Sequence, residues 1–476
     1  MMASLMKDAA PRAWAGWALL LLGALAACGP RPEPVLSGLD TPAGFRNADS
    51  AAPVRWPDPD WWTGFNAPEL NRLMAAAMAG NFDLAAAEAR VRQADAQLRI
   101  AGASLFPTVG LDAGVTQARS VASSSGFVGR KRNSTAYDAT LSASYEVDFW
   151  GRIRSLTEAA EQNARASRFD VGTVLLTTEA SIANTYFEVL AAREQLRVQE
   201  QNLAAARRIL EVVRQQVQFG TATGLDLAQQ ETLVAQQEAE IPSLRQTAAQ
   251  GVNALALLTG QPPSAFDLSP DAFDRLRVPT AAPGQPGELL ARRPDVWTAE
   301  ANLAAANADV AAARAALLPT LTLNASGGVQ SAALGTLLLP ESQFFTLVAG
   351  LAQTIFDGGA LRGQVALSRA QAEELLVEYR RAIVTALQDV EDALVALRET
   401  TAQERLRTEA AARAQRASDI AESQLRAGTI TLITLLNTQQ TLFSARVSLV
   451  QARLARLQAA VALFRALGGG WQPRPL

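Results

Sequence analysis

The chain is written twice. The stretch DLAAAEARVRQADAQLRIAGASLFPT (83–108) parallels DVWTAEANLAAANADVAAARAALLPT (295–320), with Asp83 on Asp295, Glu88 on Glu300 and Pro107 on Pro319 at an offset of 212 residues. Further on, FGTATGLDLAQQ (219–230) parallels AGTITLITLLNT (427–438), with Gly220 on Gly428 and Gly260 on Gly468 at an offset of 208. Each half must fold on one plan. Two copies at this spacing indicate duplication rather than a short-period solenoid.

Proline maps that plan. None occurs between Pro107 and Pro242 or between Pro340 and Pro473, and both stretches are rich in the helix formers Ala, Leu, Gln, Glu and Arg. Prolines cluster at 30–68 and 262–294, which read as irregular segments. Each half is expected to run through a helix (83–106; 295–318), a β-hairpin, a very long helix (155–219; 361–427) and a return helix (224–259; 432–467). A helix over 155–219 is ~100 Å long at ~1.5 Å per residue. The two shorter helices of that half, placed end to end, match it. In LEVVRQQVQF, Leu210, Val213 and Val217 follow the i, i+3, i+7 spacing of a coiled-coil seam.

The hairpins alternate with period two. In YDATLSASYEVDF, Tyr137, Ala139, Leu141, Ala143, Tyr145, Val147 and Phe149 share one face, and Asp138, Thr140, Ser142, Ser144, Glu146 and Asp148 the other. TVGLDAGVT (108–116) repeats the pattern; TLTLNAS (320–326) and FFTLVAGLAQTIF (344–356) do so more weakly. A long strand with aromatic residues at its ends and one apolar face suits a membrane barrel with a wet lumen. Four strands cannot close, and open edges are forbidden in lipid, so several copies must share one barrel: twelve strands from three copies, or from two or four copies by strand count alone. Loops 121–133 and 331–342 would cap the outer rim.

Composition removes other classes. There is no histidine and one cysteine among 476 residues, so the usual metal ligands and general base are missing. Neither G-x-S-x-G nor a P-loop occurs, and no enzymatic activity and no metal or other cofactor is expected. The net charge is −3, or −4 without residues 1–27, which gives no reason to expect nucleic acid. Beyond Ala27 no run of 18 apolar residues appears.

The single cysteine follows Leu25-Ala26-Ala27, behind Lys7, Arg12 and an apolar run. That is the layout of a secretory signal. Its end resembles the lipobox of bacterial lipoproteins, which implies cleavage before Cys28 and a covalent lipid on its sulfur. Gly29, in place of the aspartate that resembles an inner-membrane retention signal, favours the outer membrane.

These features together resemble the TolC-like outer-membrane factors of tripartite efflux systems, and within them the OprM/NodT-type lipoprotein subgroup. The resemblance covers nearly all of the chain after residue 27. It rests on Cys28, on FPTV and LPTL opening the hairpins, and on YEVDFWGRIRS (145–155) with QTIFDGGALRG (353–363). ARRPDVWTAEANL (291–303) and FGTATGLDLAQQET (219–232) with RAGTITLITLLNTQQTL (426–442) complete it.

It implies a mixed α/β membrane protein: a homotrimer with a shared 12-stranded outer-membrane β-barrel, a periplasmic α-barrel of coiled-coil helices and a small equatorial domain. The implied division is 1–27 signal peptide; 28–82 lipid-anchored and equatorial segment; 83–260 first repeat, with its hairpin at 107–149; 261–294 equatorial linker; 295–468 second repeat, with its hairpin at 319–356; and 469–476 tail. The implied function is a passive exit duct for drugs or other small toxic compounds, working with a periplasmic adaptor protein and an inner-membrane RND-type pump. A type I protein-secretion outlet, and a structural periplasm-spanning coiled-coil lipoprotein, are the alternatives; an enzyme of polysaccharide export lacks its nucleophile and metal motifs.

The turns at Gly220, Thr221 and at Gly428, Thr429 are the expected adaptor-contact tips. The family's apolar and acidic aperture rings fall on Ile433 and Asn437. At 437 the sequence has Asn where Asp is common in the family, which puts an acidic ring there in doubt, and Asp226 in the first tip is the remaining negative charge. Coiled-coil packing for Ile433, a plain polar face for Asn437 and helix capping for Asp226 are the simpler roles.

Overall fold

The computed structural model describes residues 37–48, 53–121 and 131–472. The order of elements recurs. The first half runs α2 (Phe82–Ala103), β1 (Thr108–Val121), β2 (Lys131–Val147), α3 (Arg152–Gln218) and α4 (Gly224–Leu258). The second runs α6 (Pro294–Ala315), β3 (Thr320–Ser331), β4 (Gln343–Ala352), α7 (Ala360–Arg426) and α8 (Leu432–Ala466). Helix lengths are 22, 67 and 35 residues in both halves. Before and between them lie α1 (Pro68–Gly80) and the short α5 (Pro286–Leu290). The fold is mixed α/β and mostly helical.

Two compact units cut across the repeats, each taking parts of both halves. The first holds the sheet and residues 98–160 and 303–373. Its four strands pair antiparallel in the order β1-β2-β3-β4, so β1 and β4 are both edges.

The second unit holds 39–97, 161–302 and 374–476. Its core gathers Trp61, Phe65, Leu70 and Leu73 with Tyr186 and Phe187 of α3 and Leu457, Val461 and Phe464 of α8. Trp61 stacks on Phe464 at 5.2 Å between ring centroids. Tyr186 donates to Asp271 Oδ2 (2.7 Å), which also accepts from the Glu69 N–H (3.2 Å), tying the proline-rich linker to α1 and α3. Burial pushes the Glu179 carboxyl up to about 8, and Trp61 Nε1 donates to it. Among the described residues, α8 is the one helix long and apolar enough to cross a membrane. Val450, Leu457, Ala460, Val461 and Phe464 of this helix belong to this core.

The element ends differ from expectation in detail. Residues 68–80, which the sequence assigns to no element beyond the irregular segment ending at 68, form a helix: Pro68 sits at the first turn and Leu70, Leu73, Met74 and Ala77 form a buried stripe. Strand β2 stops at Val147, because the Asp148 carboxylate leaves the ladder and accepts from the backbone N–H groups of Ile153 and Arg154 (both 2.9 Å). Strand β4 stops at Ala352, opposite Thr320 where β3 begins, and Asp357 further on accepts from Gly359 and Leu361 (both 2.8 Å) at the start of α7. Phe149, Ile355 and Phe356 therefore lie beyond the strands. Conversely, β1 and β3 run on to Val121 and Ser331, past the expected 116 and 326.

Candidate functional site

The sheet's register sorts its residues into two faces. Partners across an antiparallel pair lie on the same side. One face reads Val109–Ala143–Ala325–Leu347, then Leu111–Leu141–Gly327–Phe345, then Ala113–Ala139–Val329–Gln343 across the strands. Tyr145–Leu323–Ala349 and Val147–Leu321–Leu351 extend it toward the helix-proximal end. The other face reads Thr108–Ser144–Asn324–Val348, Gly110–Ser142–Ser326–Thr346 and Asp112–Thr140–Gly328–Phe344, polar on the first three strands and mixed on β4. All four strands thus place apolar residues on one side.

That side is bare: Leu111 is 73% and Leu141 55% exposed, and Phe345 and Leu351 are exposed as well. Phe345 lies against Gly327, and Gly328 has no room for a Cβ beside the Ala139 carbonyl. From the Val147 row to the Tyr137 row the face spans ten residues of β2. At ~3.3 Å per residue and ~45° tilt this is a band of ~23 Å, close to the ~25 Å apolar belt of outer-membrane barrels. Below it Phe106, Phe149, Trp150, Ile355 and Phe356 are exposed, an aromatic-rich margin. There Trp150 Nε1 donates to the Pro319 carbonyl (2.8 Å), bonding one hairpin's base to the other's, and Gln353 donates to that of Leu317 (3.1 Å), closing the base of the second.

The two tips share one backbone design. Gly220 (φ 71°) and Gly428 (φ 73°) end α3 and α7 in the left-handed region. The Gly220 N–H donates to Val217 and that of Thr221 to Gln216 (2.8 Å); Gly428 and Thr429 donate likewise to Leu425 and Gln424 (3.0 Å). This double bond is the Schellman ending, which calls for glycine at its left-handed position. Thr221 and Thr429 each add a hydroxyl bond to the same glutamine carbonyl. Behind the turns, Ile209 and Val213 of α3 pack with Ala421 of α7 and with Leu432 and Leu435 of α8, and Val217 lies against them.

The N-terminal caps of the return helices differ in charge. Thr223 and Asp226 form a capping box on α4, in which the Asp226 carboxylate accepts from the Thr223 N–H (2.8 Å) and hydroxyl (2.7 Å). On α8 the corresponding pair is Thr431 and Thr434, both neutral. The Thr223 side-chain bond, then its backbone N–H, holds the Asp226 carboxyl below the usual range. A lowered folded value means that the contribution is present above the unfolded-state value and lost as the pH falls through the folded one. Protection of the 220–230 amides, taken relative to their intrinsic exchange rate at each pH, is accordingly expected to fall on acidification, and Asp226→Asn to remove that dependence. The same pH response in both proteins would mean that the box does not hold the turn.

Ile433 and Asn437 sit one turn apart on the exposed side of α8, opposite Leu432, Leu435 and Gln439, which are buried; Ile433 is 51% exposed. Asp226 is half-buried near the first turn, on a different helix. Cys28 lies outside the described residues. The capping roles of Asp148 and Asp357 were not expected from sequence, although an aspartate a few residues before a helix, with Gly151 or Gly358–Gly359 between, carries the signal. Arg293 of the ARRPDVW stretch was likewise not singled out: it is buried, paired with Asp295 (2.6 Å) and Asp389 (2.9 Å), and locks the start of α6 to α7. Among the described residues no cluster of acidic or sulfur ligands suits a metal ion.

A four-stranded sheet with one bare apolar face, one mainly polar face and two unpaired edges, in a chain that also holds long helices, has the features of an outer-membrane channel protein. The chain belongs to the outer membrane efflux protein family, whose profile matches residues 73–261 and 286–469. It is similar to the pyoverdine export outer membrane protein OpmQ of Pseudomonas putida, 43% identical over 93% of this chain and 94% of that one. It is 32% identical to the toluene efflux pump outer membrane protein TtgC of Pseudomonas putida, over 88% and 87% of the two chains. The solved structure of the outer-membrane channel OprN superposes with a TM-score of 0.86 at 27% identity, covering 94% of this chain and 99% of that one. The protein is an efflux channel of the outer membrane.

Proposed function

We propose that three copies join their sheets edge to edge in a closed 12-stranded barrel, with the α3–α4 and α7–α8 pairs forming a helical conduit in the periplasm. The observation that carries this is the bare apolar face across four strands with β1 and β4 both unpaired. Lipid tolerates neither open edges nor a lone four-stranded sheet. Two copies give eight strands, whose interior side chains fill; twelve is the next multiple of four and leaves a lumen.

The duct is passive. It takes cargo from an inner-membrane RND-type pump through a periplasmic adaptor protein that meets the Gly220 and Gly428 turns. The names of the relatives, pyoverdine export in one and toluene efflux in another, support small-molecule cargo. No catalytic step, cofactor or nucleic acid enters this reading. Cys28 carries a lipid that supplements the barrel's hold on the membrane, and mass spectrometry of the mature N-terminus is expected to show an acylated cysteine; an unmodified one removes the anchor.

Ile433 and Asn437 form the aperture, with Asn437 giving a neutral ring. Purified protein in planar bilayers is expected to conduct. Asn437→Asp brings three like charges together, each pair at ~6 Å repelling by about 1 kcal/mol at an effective dielectric constant near 50. Its single-channel conductance is expected to become more sensitive to magnesium than the parent's. An equal response in both places the constriction elsewhere, nearer Asp226.

A further inference from the structure

The two halves repeat their packing as well as their order. A Cβ on Gly260 would meet the Gly80 carbonyl and one on Gly468 that of Arg292, the same contact shifted by 208 and 212 residues. Helix α6 is covered on two sides. Toward α7 of its own half, Arg293 at its start pairs with Asp389 (2.9 Å). Toward α3 of the other half, Trp297 meets Phe169 edge-on at 5.3 Å between ring centroids, and Pro294 lies over Gly172 beside Trp471. These contacts run antiparallel, 294 to 172 and 297 to 169.

Helix α2, the counterpart of α6, is covered on one side only. Its Asp95 pairs with Arg168 of α3 in its own half (2.7 Å). Ala85, Glu88, Arg92 and Ala96 form a second stripe that is exposed, although their counterparts Trp297, Glu300, Ala304 and Ala308 are half-buried or buried. The matching surface of α7 is open as well. Val377 and Val384, counterparts of the half-buried Phe169 and the buried Leu176, are 53% and 54% exposed. Phe82, counterpart of the buried Pro294, is exposed too.

We propose that this stripe of α2 packs on α7 of the next copy as α6 packs on α3 within one copy, with Ala85 facing Val377 and Phe82 lying between Val377 and Val384. This rests on the trimer proposed above. Within the chain α6 has a half before it and α2 has none; a three-fold ring supplies the missing half from a neighbour. Continuity selects that neighbour's α7 as occupant, because α2 leads into β1 and α7 follows β4, the two edges that join between copies. Side-chain bulk also changes hands across the seam. Inside the chain Trp297 and Trp471 lie on Phe169 and Gly172. The counterparts are Ala85 and Pro263 on one side, Val377 and Arg380 on the other, so the large groups move from the covering helix to the covered one.

The test co-expresses two full-length chains with different affinity tags, one A85C and the other V377C, and treats outer membranes with a short bis-maleimide. A cross-linked dimer carrying both tags is expected, several-fold above the yield from either chain alone and above the parent, whose one cysteine is Cys28. Moving the first cysteine to Arg90, on another side of α2, is expected to return the yield to background. A detergent-resistant trimer without the mixed cross-link overturns the seam and leaves the closed barrel standing, as does equal cross-linking from R90C. A parent chain that forms no oligomer removes the barrel and the seam together.

Discussion

Leu141→Arg is expected to abolish assembly, and Ser142→Arg, one residue away, to be tolerated. Leu141 stands mid-band, paired with Leu111 and Gly327, on the face that carries Val109, Phe345 and Leu351. An arginine there faces hydrocarbon and costs about 2–4 kcal/mol at the bilayer centre, once per copy. The longer side chain has little means of escape, since headgroups are several rows away. Ser142 sits among Gly110, Ser326 and Thr346 on the opposite face, where water solvates a charge. The yield of oligomer resistant to detergent and of conducting channels in vesicles reads both variants. Equal assembly would reverse the two faces or remove the barrel.

Gly260→Ala and Gly468→Ala are expected to lower stability far more than Gly220→Ala. All three glycines have φ between 70° and 85°, where a Cβ costs about 1–2 kcal/mol. Surroundings separate them. A Cβ on Gly260 would fall inside contact distance of the Gly80 carbonyl, and one on Gly468 inside that of Arg292. Both obstacles are backbone and cannot rotate away, which adds about 1–3 kcal/mol. Nothing lies within 4 Å of the Gly220 position. The midpoints of thermal unfolding are the readout, and equal losses in all three would mean that the close approach carries no energy.

The turns at Gly220, Gly260, Gly428 and Gly468 were legible because few residues other than glycine accept the left-handed backbone a Schellman ending needs, and the two halves print it at one offset. The faces of the first hairpin were legible because Val109 to Val115 and Tyr137 to Val147 alternate without a fault. The second hairpin reads weakly for a reason visible only across strands. Phe344 and Val348 fall on the polar face of β4, and Gly327 borrows its apolar cover from Phe345 rather than from its own side chain. Asp148 keeps the alternating rhythm while serving the next helix, so periodicity ran two residues past the true end. Helix α1 was hidden by the prolines around it, although Leu70, Leu73, Met74 and Ala77 carry its period. Ile433 and Asn437 were named by the family resemblance alone; they lie on the open side of α8. What they face depends on neighbouring copies, a relation no local pattern encodes.

The carboxylate in the cap of the first tip, absent from that of the second, has a geometric consequence. In the trimer proposed above, six turns of nearly identical backbone ring the axis, but Asp226 marks every second one and Thr434 leaves the others neutral. To a partner that reads only shape, the ring repeats every ~60° by this symmetry. To one that carries a basic residue for Asp226, it repeats only every ~120°. The carboxylate thus works as a key on a coupling. It halves the number of equivalent rotational settings at which a docking ring can engage, while remaining the residue that starts its own helix.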